Sequence, residues 1–229
     1  MSIIENLTLK QLSEETVMLP KLAHFASRAL VDTYDEFIKI LHQDIDEIIQ
    51  DIQENPELKQ NDSEDRLTLD TLVNLRRLGY EASHDSKVGG HTDLLVKHSR
   101  GYKWIGEAKI HDGNAYLWKG FMQLTERYSI GDHNQKDGGM LIYLKIPNAD
   151  RVIQSWKEYL ESQNLPEYKY ETCSTNNLYF FSKHRHTKSG LIFTVRHMTV
   201  LLHFNPQDST KKSKSQSSSK SKSNKKETE

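Results

Sequence analysis

Gly90-His91-Thr92-Asp93-Leu94-Leu95-Val96, followed after a short turn by Trp104-Ile105-Gly106-Glu107-Ala108-Lys109, decides how this chain is read. Both segments are mostly apolar, and Ser99-Arg100-Gly101 between them is a turn, so they read as the strands of a hairpin. Strand side chains alternate between faces, which sets Glu107 and Lys109 on one side. Pairing through the turn brings Asp93 beside them. The alternative, a solvated edge strand, suits Trp104, Ile105 and Ile110 poorly. Two carboxylates and one ammonium therefore converge on a single spot.

The surroundings alternate between helical and strand-like patterns. Leu30, Tyr34, Phe37, Ile38, Leu41, Ile45, Ile48, Ile49 and Ile52 recur at helical spacing, and Pro56 closes that run. Ser63 is an N-cap for a second helix with Leu67, Leu69, Leu72, Leu75 and Leu78 as its apolar face, ended by Gly79. Tyr80–Ser83 and residues 91–97 and 102–110 read as strands, 116–129 as helix. A strand over Met140–Ile146, bounded by Gly138-Gly139 and Pro147, and a helix over 148–162 come next. Residues 168–204 are strand-rich. This order predicts an α/β fold, a mixed sheet flanked by helices. It divides into an acidic helical extension (1–60), a core (61–165), a strand-rich elaboration (166–207) and a Lys/Ser tail (208–229) expected to be disordered.

Across 229 residues, charged side chains make up 28% and hydrophobic ones 35%, a soluble composition. No apolar run is long enough for a bilayer and no signal-peptide pattern leads the chain, so the expectation is a cytoplasmic protein with no membrane partner. One cysteine, Cys173, excludes an internal disulfide and a multi-cysteine zinc site. The overall charge of -1 conceals a polar distribution: residues 1–65 carry fifteen acidic against five basic side chains, and residues 209–229 carry seven lysines against two glutamates. Only the middle and the tail suit a polyanion.

Phosphodiester hydrolysis needs charge neutralisation at phosphate and an activated water. Magnesium takes hard oxygen ligands. Asp93 and Glu107 supply carboxylates, the Ala108 backbone carbonyl a third oxygen, and Lys109 a group to orient the water.

These residues resemble the PD-(D/E)xK nuclease superfamily, the restriction-endonuclease-like fold, over about residues 62–146. The resemblance implies a Mg²⁺- (or Mn²⁺-) dependent endonuclease acting on nucleic acid, DNA first, of the sort that serves in prokaryotic defence against phage or plasmids. It adds Glu64 to the catalytic and metal-binding set, with Asp65 a near substitute, and Gln123 as a supporting residue. Two departures stand out. Thr92 occupies the place often held by proline. Tyr128 follows Gln123 by five residues where several branches have four, which on an α-helix turns Tyr128 away and leaves Arg127 on the glutamine's face.

His91, Arg127, Lys183, Arg185 and Arg196 are the nucleic-acid candidates, although a hydrogen-bonding role for His91 and a solvent-facing hairpin for the others compete with that reading. His184, His186, His197 and His203 show no zinc-ligand spacing. The acidic N-terminal helices would repel nucleic acid, so they are expected to pack on the core, on a second copy or on a partner protein. The rival reading of the whole is a non-catalytic nuclease-fold subunit of a larger complex.

Overall fold

A computed structural model describes residues 6–84, 86–87 and 91–206, with residues 86, 87 and 91 described by their backbone alone. The expectation for the Lys/Ser tail lies outside the described residues.

Two short helices, α1 (Leu9–Glu14) and α2 (Pro20–Ala29), precede α3 (Tyr34–Gln53), the long helix announced by the apolar spacing. Thr33 and Glu36 cap α3 reciprocally: each accepts the other's backbone N–H, at 3.2 and 3.0 Å. After the single turn α4 (Pro56–Lys59) comes α5 (Glu64–Arg77), where Ser63 Oγ accepts the Arg66 amide at 3.2 Å. Leu69 departs from the expected stripe and is 41% exposed, because residues 67, 71, 72 and 75 already fill the buried face.

The strands are β1 (Glu81–Ser83), β2 (Ser86–Lys87), β3 (His91–Thr92), β4 (Leu94–Lys97), β5 (Lys103–Ile110), β6 (Asp137–Leu144), β7 (Lys169–Thr172), β8 (Phe180–Arg185) and β9 (Ile192–Leu201). Between β5 and β6 lies α6 (Asn114–Met122), continued by a π-helical turn Gln123–Tyr128, and α7 (Ala149–Ser162) follows β6. Seven strands form one sheet in the order β1-β4-β5-β6-β9-β8-β7, while β2 and β3 form a separate pair. The β4–β5 hairpin is antiparallel, with Leu94 opposite Gly106 and Lys97 opposite Lys103; β5, β6 and β9 run parallel.

Helices cover both faces. On one, Phe37, Leu41, Ile45, Leu67 and Leu72 from α3 and α5 meet Val96, Trp104, Leu141 and Val200. On the other, Leu117, Phe121 and Trp156 from α6 and α7 meet Ile105, Met140, Ile142 and Phe193. The acidic N-terminal region is thus a layer of the core: the apolar stripe of α3 lies on the sheet. The strand-rich region likewise continues the same sheet through β7, β8 and β9, with β9 beside β6 at its middle. Gly138 and Gly139, expected to bound a strand, lie inside β6. For Gly139 the reason is Trp104: a Cβ there would collide with its indole, as one on Gly106 would at 2.7 Å. The two glycines make room for a fully buried ring. Among the described residues no helix is long and apolar enough to cross a membrane.

The second face buries histidines. His197 accepts the Trp156 indole N–H at 3.1 Å and shares a hydrogen bond with Ser182 at 2.8 Å. His184, 2% exposed, packs between Phe121 and Phe193 with its Nδ1 unpartnered among the described residues. Burial first, then the neighbouring His186, pushes His184 down to about 4. Its folded pKa therefore lies below the unfolded value, so the unfolded chain takes up a proton that the native state refuses as pH falls below about 6.5. That lost stability is on the order of 2–3 kcal/mol at pH 4.5 for this one group. In urea melts, His184→Phe should gain about that much relative to wild type between pH 7 and 4.5. A pH-independent difference would refute it.

Candidate active site

The hairpin delivers the expected convergence. Glu107 and Lys109 project from the face of β5 covered by α6, at 1% and 7% exposure. Asp93 sits between β3 and β4, held by the Ala108 amide, which donates to Asp93 Oδ2 at 2.9 Å. Glu64 arrives from the first turn of α5 and accepts the Ile110 amide on Oε2 at 2.8 Å. That bond ties the helix start to the end of β5.

Lys109 Nζ stands where these groups meet. It lies 2.8 Å from Glu107 Oε1, 3.2 Å from Glu64 Oε1 and 3.7 Å from Asp93 Oδ2, and donates to the Ala108 carbonyl at 3.0 Å. Burial works against its charge, but Glu107, and after it Asp93 and Glu64, hold the ammonium protonated above the ordinary lysine range. Glu107 is pushed up to about 7, by burial first and by Asp93 second, against the pull of Lys109. Three carboxylates facing one ammonium leave two negative charges when all are ionised. Glu107 Oε2 is buried and has no hydrogen-bond partner among the described residues. Buried polar atoms are rarely left so, which leaves this oxygen available as a ligand.

A divalent cation fits this set. All four candidate donors, Asp93, Glu107, Glu64 and the Ala108 carbonyl, are hard oxygens, the kind Mg²⁺ and Mn²⁺ prefer. One divalent ion would also cancel the surplus charge. The ammonium of Lys109 holds the same oxygens.

Helix α6 closes the site from above. A Cβ on Gly120 would come within 2.9 Å of Lys109 Cγ and 3.4 Å of Glu107 Cγ, so only glycine lets the helix approach this closely. Tyr116 donates to Glu64 Oε2 at 3.4 Å. Tyr128 corrects the sequence expectation. The π-helical turn bonds at an interval of five, as from the Ser129 amide to the Leu124 carbonyl at 3.1 Å. A residue five along therefore returns to nearly the same side, and Gln123 Nε2 donates to Tyr128 Oη at 3.4 Å. Burial, then the charge of Glu107, raises the Tyr128 phenol. Gln123 and Tyr128 form a pair beside the carboxylates, and such π-turns recur at functional sites. Neither the bond from Tyr116 to Glu64 nor the close approach at Gly120 is legible in the sequence, since both depend on groups distant along the chain.

The cationic candidates divide. Arg127 is exposed at the end of the π-turn. Lys183 pairs with Glu171 at 2.9 Å and Arg185 with Glu167 at 2.8 Å, on strand β8 three positions along the sheet from β5. Arg196 does not reach solvent: at 3% exposure it pairs with Asp46 at 2.8 Å and donates to the His42 carbonyl at 3.1 Å. It is an internal tie between β9 and α3, not a phosphate contact. The side chain of His91 lies outside the described residues. Elsewhere His24, Asp44 and Glu47 bring ligand-type atoms within 4.8 Å of one another. Asp44 is already spent on Arg28, at 2.9 Å, and on the Tyr80 hydroxyl, so this is an ion-pair knot between α2, α3 and the segment that leads into β1.

No family model, curated protein or solved structure matches the chain.

Proposed function

We propose that the chain is a divalent-metal-dependent nuclease of restriction-endonuclease-like architecture, cutting phosphodiester bonds in nucleic acid, DNA first. The observation that carries this reading is one arrangement: three carboxylates and a backbone carbonyl gathered on Lys109, with a buried oxygen of Glu107 left without a partner among the described residues. The order helix, antiparallel hairpin, crossover helix, parallel strand agrees with that architecture.

Asp93, Glu107, Glu64 and the Ala108 carbonyl would hold the ion. Bound there, Mg²⁺ or Mn²⁺ supplies Lewis-acid neutralisation of phosphate charge. The chain's own groups do the rest. The Ala108 amide fixes the rotamer of Asp93, and the Ile110 amide fixes Glu64, so the carboxylates are set before substrate arrives. Lys109, kept charged, orients the attacking water and balances negative charge that develops at the phosphorus oxygens. Gln123 and Tyr128 hold the helix face against the site.

The test is cleavage of supercoiled plasmid and of single-stranded DNA with Mg²⁺, Mn²⁺ or EDTA, for wild type beside Asp93→Asn and Lys109→Ala. Metal-dependent cutting lost in both variants is the expected result. Cutting retained in both would move the site elsewhere, and a silent wild type under every metal would favour the non-catalytic reading.

A further inference from the structure

We propose that the outer surface of α6 and the π-turn is the track for one unpaired nucleic-acid strand, with a base on Trp118 and phosphates on Lys119 and Arg127. The proposal rests on the nuclease reading for its substrate but on different residues. An open groove of about 660 Å³ runs here, lined by Trp118, Lys119, Met122, Gln123, Glu126 and Arg127. Gln123 belongs to both places: it lines the groove and bonds Tyr128 beside the carboxylates. A strand lying in the groove is thereby led to the metal-binding residues.

Charge and aromatic surface fix the occupant. Lys119 and Arg127 are exposed, and neither has a carboxylate partner among the described residues, unlike Lys183, Arg185 and Arg196. Lys188 adds a third cation at the far end, its Nζ donating to the carbonyls of Arg127 and Ser129 at 3.3 and 3.0 Å. The one acid in the groove, Glu126, accepts from the Thr187 hydroxyl at 2.6 Å. Arg127 bonds the Tyr128 hydroxyl but meets no acid among the described residues. A guanidinium and an ammonium without carboxylates beside an aromatic ring are the elements that hold single strands, by phosphate contact and base stacking. Trp118 is the only tryptophan of three with any exposure, since Trp104 and Trp156 are fully buried. Its indole is stacked on Phe121, at 5.4 Å between centroids, and meets Tyr159 edge-on at 6.4 Å; the partly exposed remainder of the ring lines the groove, where a base would meet it. A duplex keeps its bases stacked on each other and cannot offer one to the indole without opening.

The experiment measures binding of a fluorescein-labelled oligothymidylate of about twelve nucleotides in EDTA, where cutting is absent, by anisotropy and by tryptophan emission. Oligothymidylate should quench the emission of the wild type, and Trp118→Phe should remove the quench. Trp118→Ala should weaken binding about ten-fold. Lys119→Gln with Arg127→Gln should lower the slope of affinity against salt by about 0.7 for each cation removed. A matched duplex should bind about ten-fold more weakly or worse. Quenching that survives Trp118→Phe, an unchanged affinity and salt slope in the double variant, or equal duplex binding would each overturn the groove. Metal-dependent plasmid cutting with unaltered groove variants would leave the nuclease standing without the groove. Groove signatures in a protein that never cuts would do the reverse.

Discussion

Glu107→Gln should abolish cleavage and raise thermal stability together. The carboxyl is almost fully enclosed, one oxygen lacks a partner among the described residues, and burial with Asp93 pushes it up to about 7. A carboxyl whose folded pKa exceeds its unfolded value stabilises the protein below the unfolded value, and that contribution vanishes as pH rises through 7. At one pKa unit per about 1.4 kcal/mol, ionising Glu107 costs the metal-free native state on the order of 3 kcal/mol above pH 7. Glutamine keeps the shape without the charge but gives up the ion pair to Lys109, so the net gain should be about 1–2 kcal/mol. For a chain of this size that is a Tm rise of roughly 2–8 °C. The gain should be larger at pH 8 than at pH 5. Cleavage should fall by about 10²-fold or more, because the charge that would hold the ion is gone. An active variant, or one with a lowered Tm at pH 8, would sink the assignment of Glu107.

Gly120→Ala should separate activity from stability in another way. The new methyl would stand 2.9 Å from Lys109 Cγ and 3.1 Å from its Cε, so the lysine must move. Alanine in a helix interior gains about 1 kcal/mol over glycine, while over-packing costs about 1–3 kcal/mol, so the fold changes little. The chemistry has no such compensation. A displacement of about 1 Å in a reacting group can cost 10²-fold, and cleavage should drop by about that much with a Tm within a few degrees of wild type. Unchanged cleavage at saturating Mg²⁺ would mean that the position of Lys109 is not critical.

What could be read from sequence was what depends on near neighbours. The turn at Ser99-Arg100-Gly101 and strand alternation suffice to place Asp93, Glu107 and Lys109 together, and Ser63 marks the start of α5. Glu64 was assigned by resemblance alone, because the bond to the Ile110 amide spans 46 residues. Arg196 was misjudged for the same reason: its partner Asp46 is 150 positions earlier. Nor does anything local announce that β9 enters the sheet beside β6, or that Gly139 makes room for an indole from another strand. Tyr128 was set aside because α-helical geometry was assumed where the chain is π-helical.

That wide turn lets the backbone absorb an additional residue without rotating the side chains at its two ends apart. What the site depends on is helix phase, not residue count. A linear motif written with a fixed interval between glutamine and tyrosine discards this chain, whereas one written as an angle about the helix axis keeps it. Insertions and deletions of a single residue, usually ruinous inside a helix, have at Gln123–Tyr128 a place where they can be accommodated beside the carboxylates.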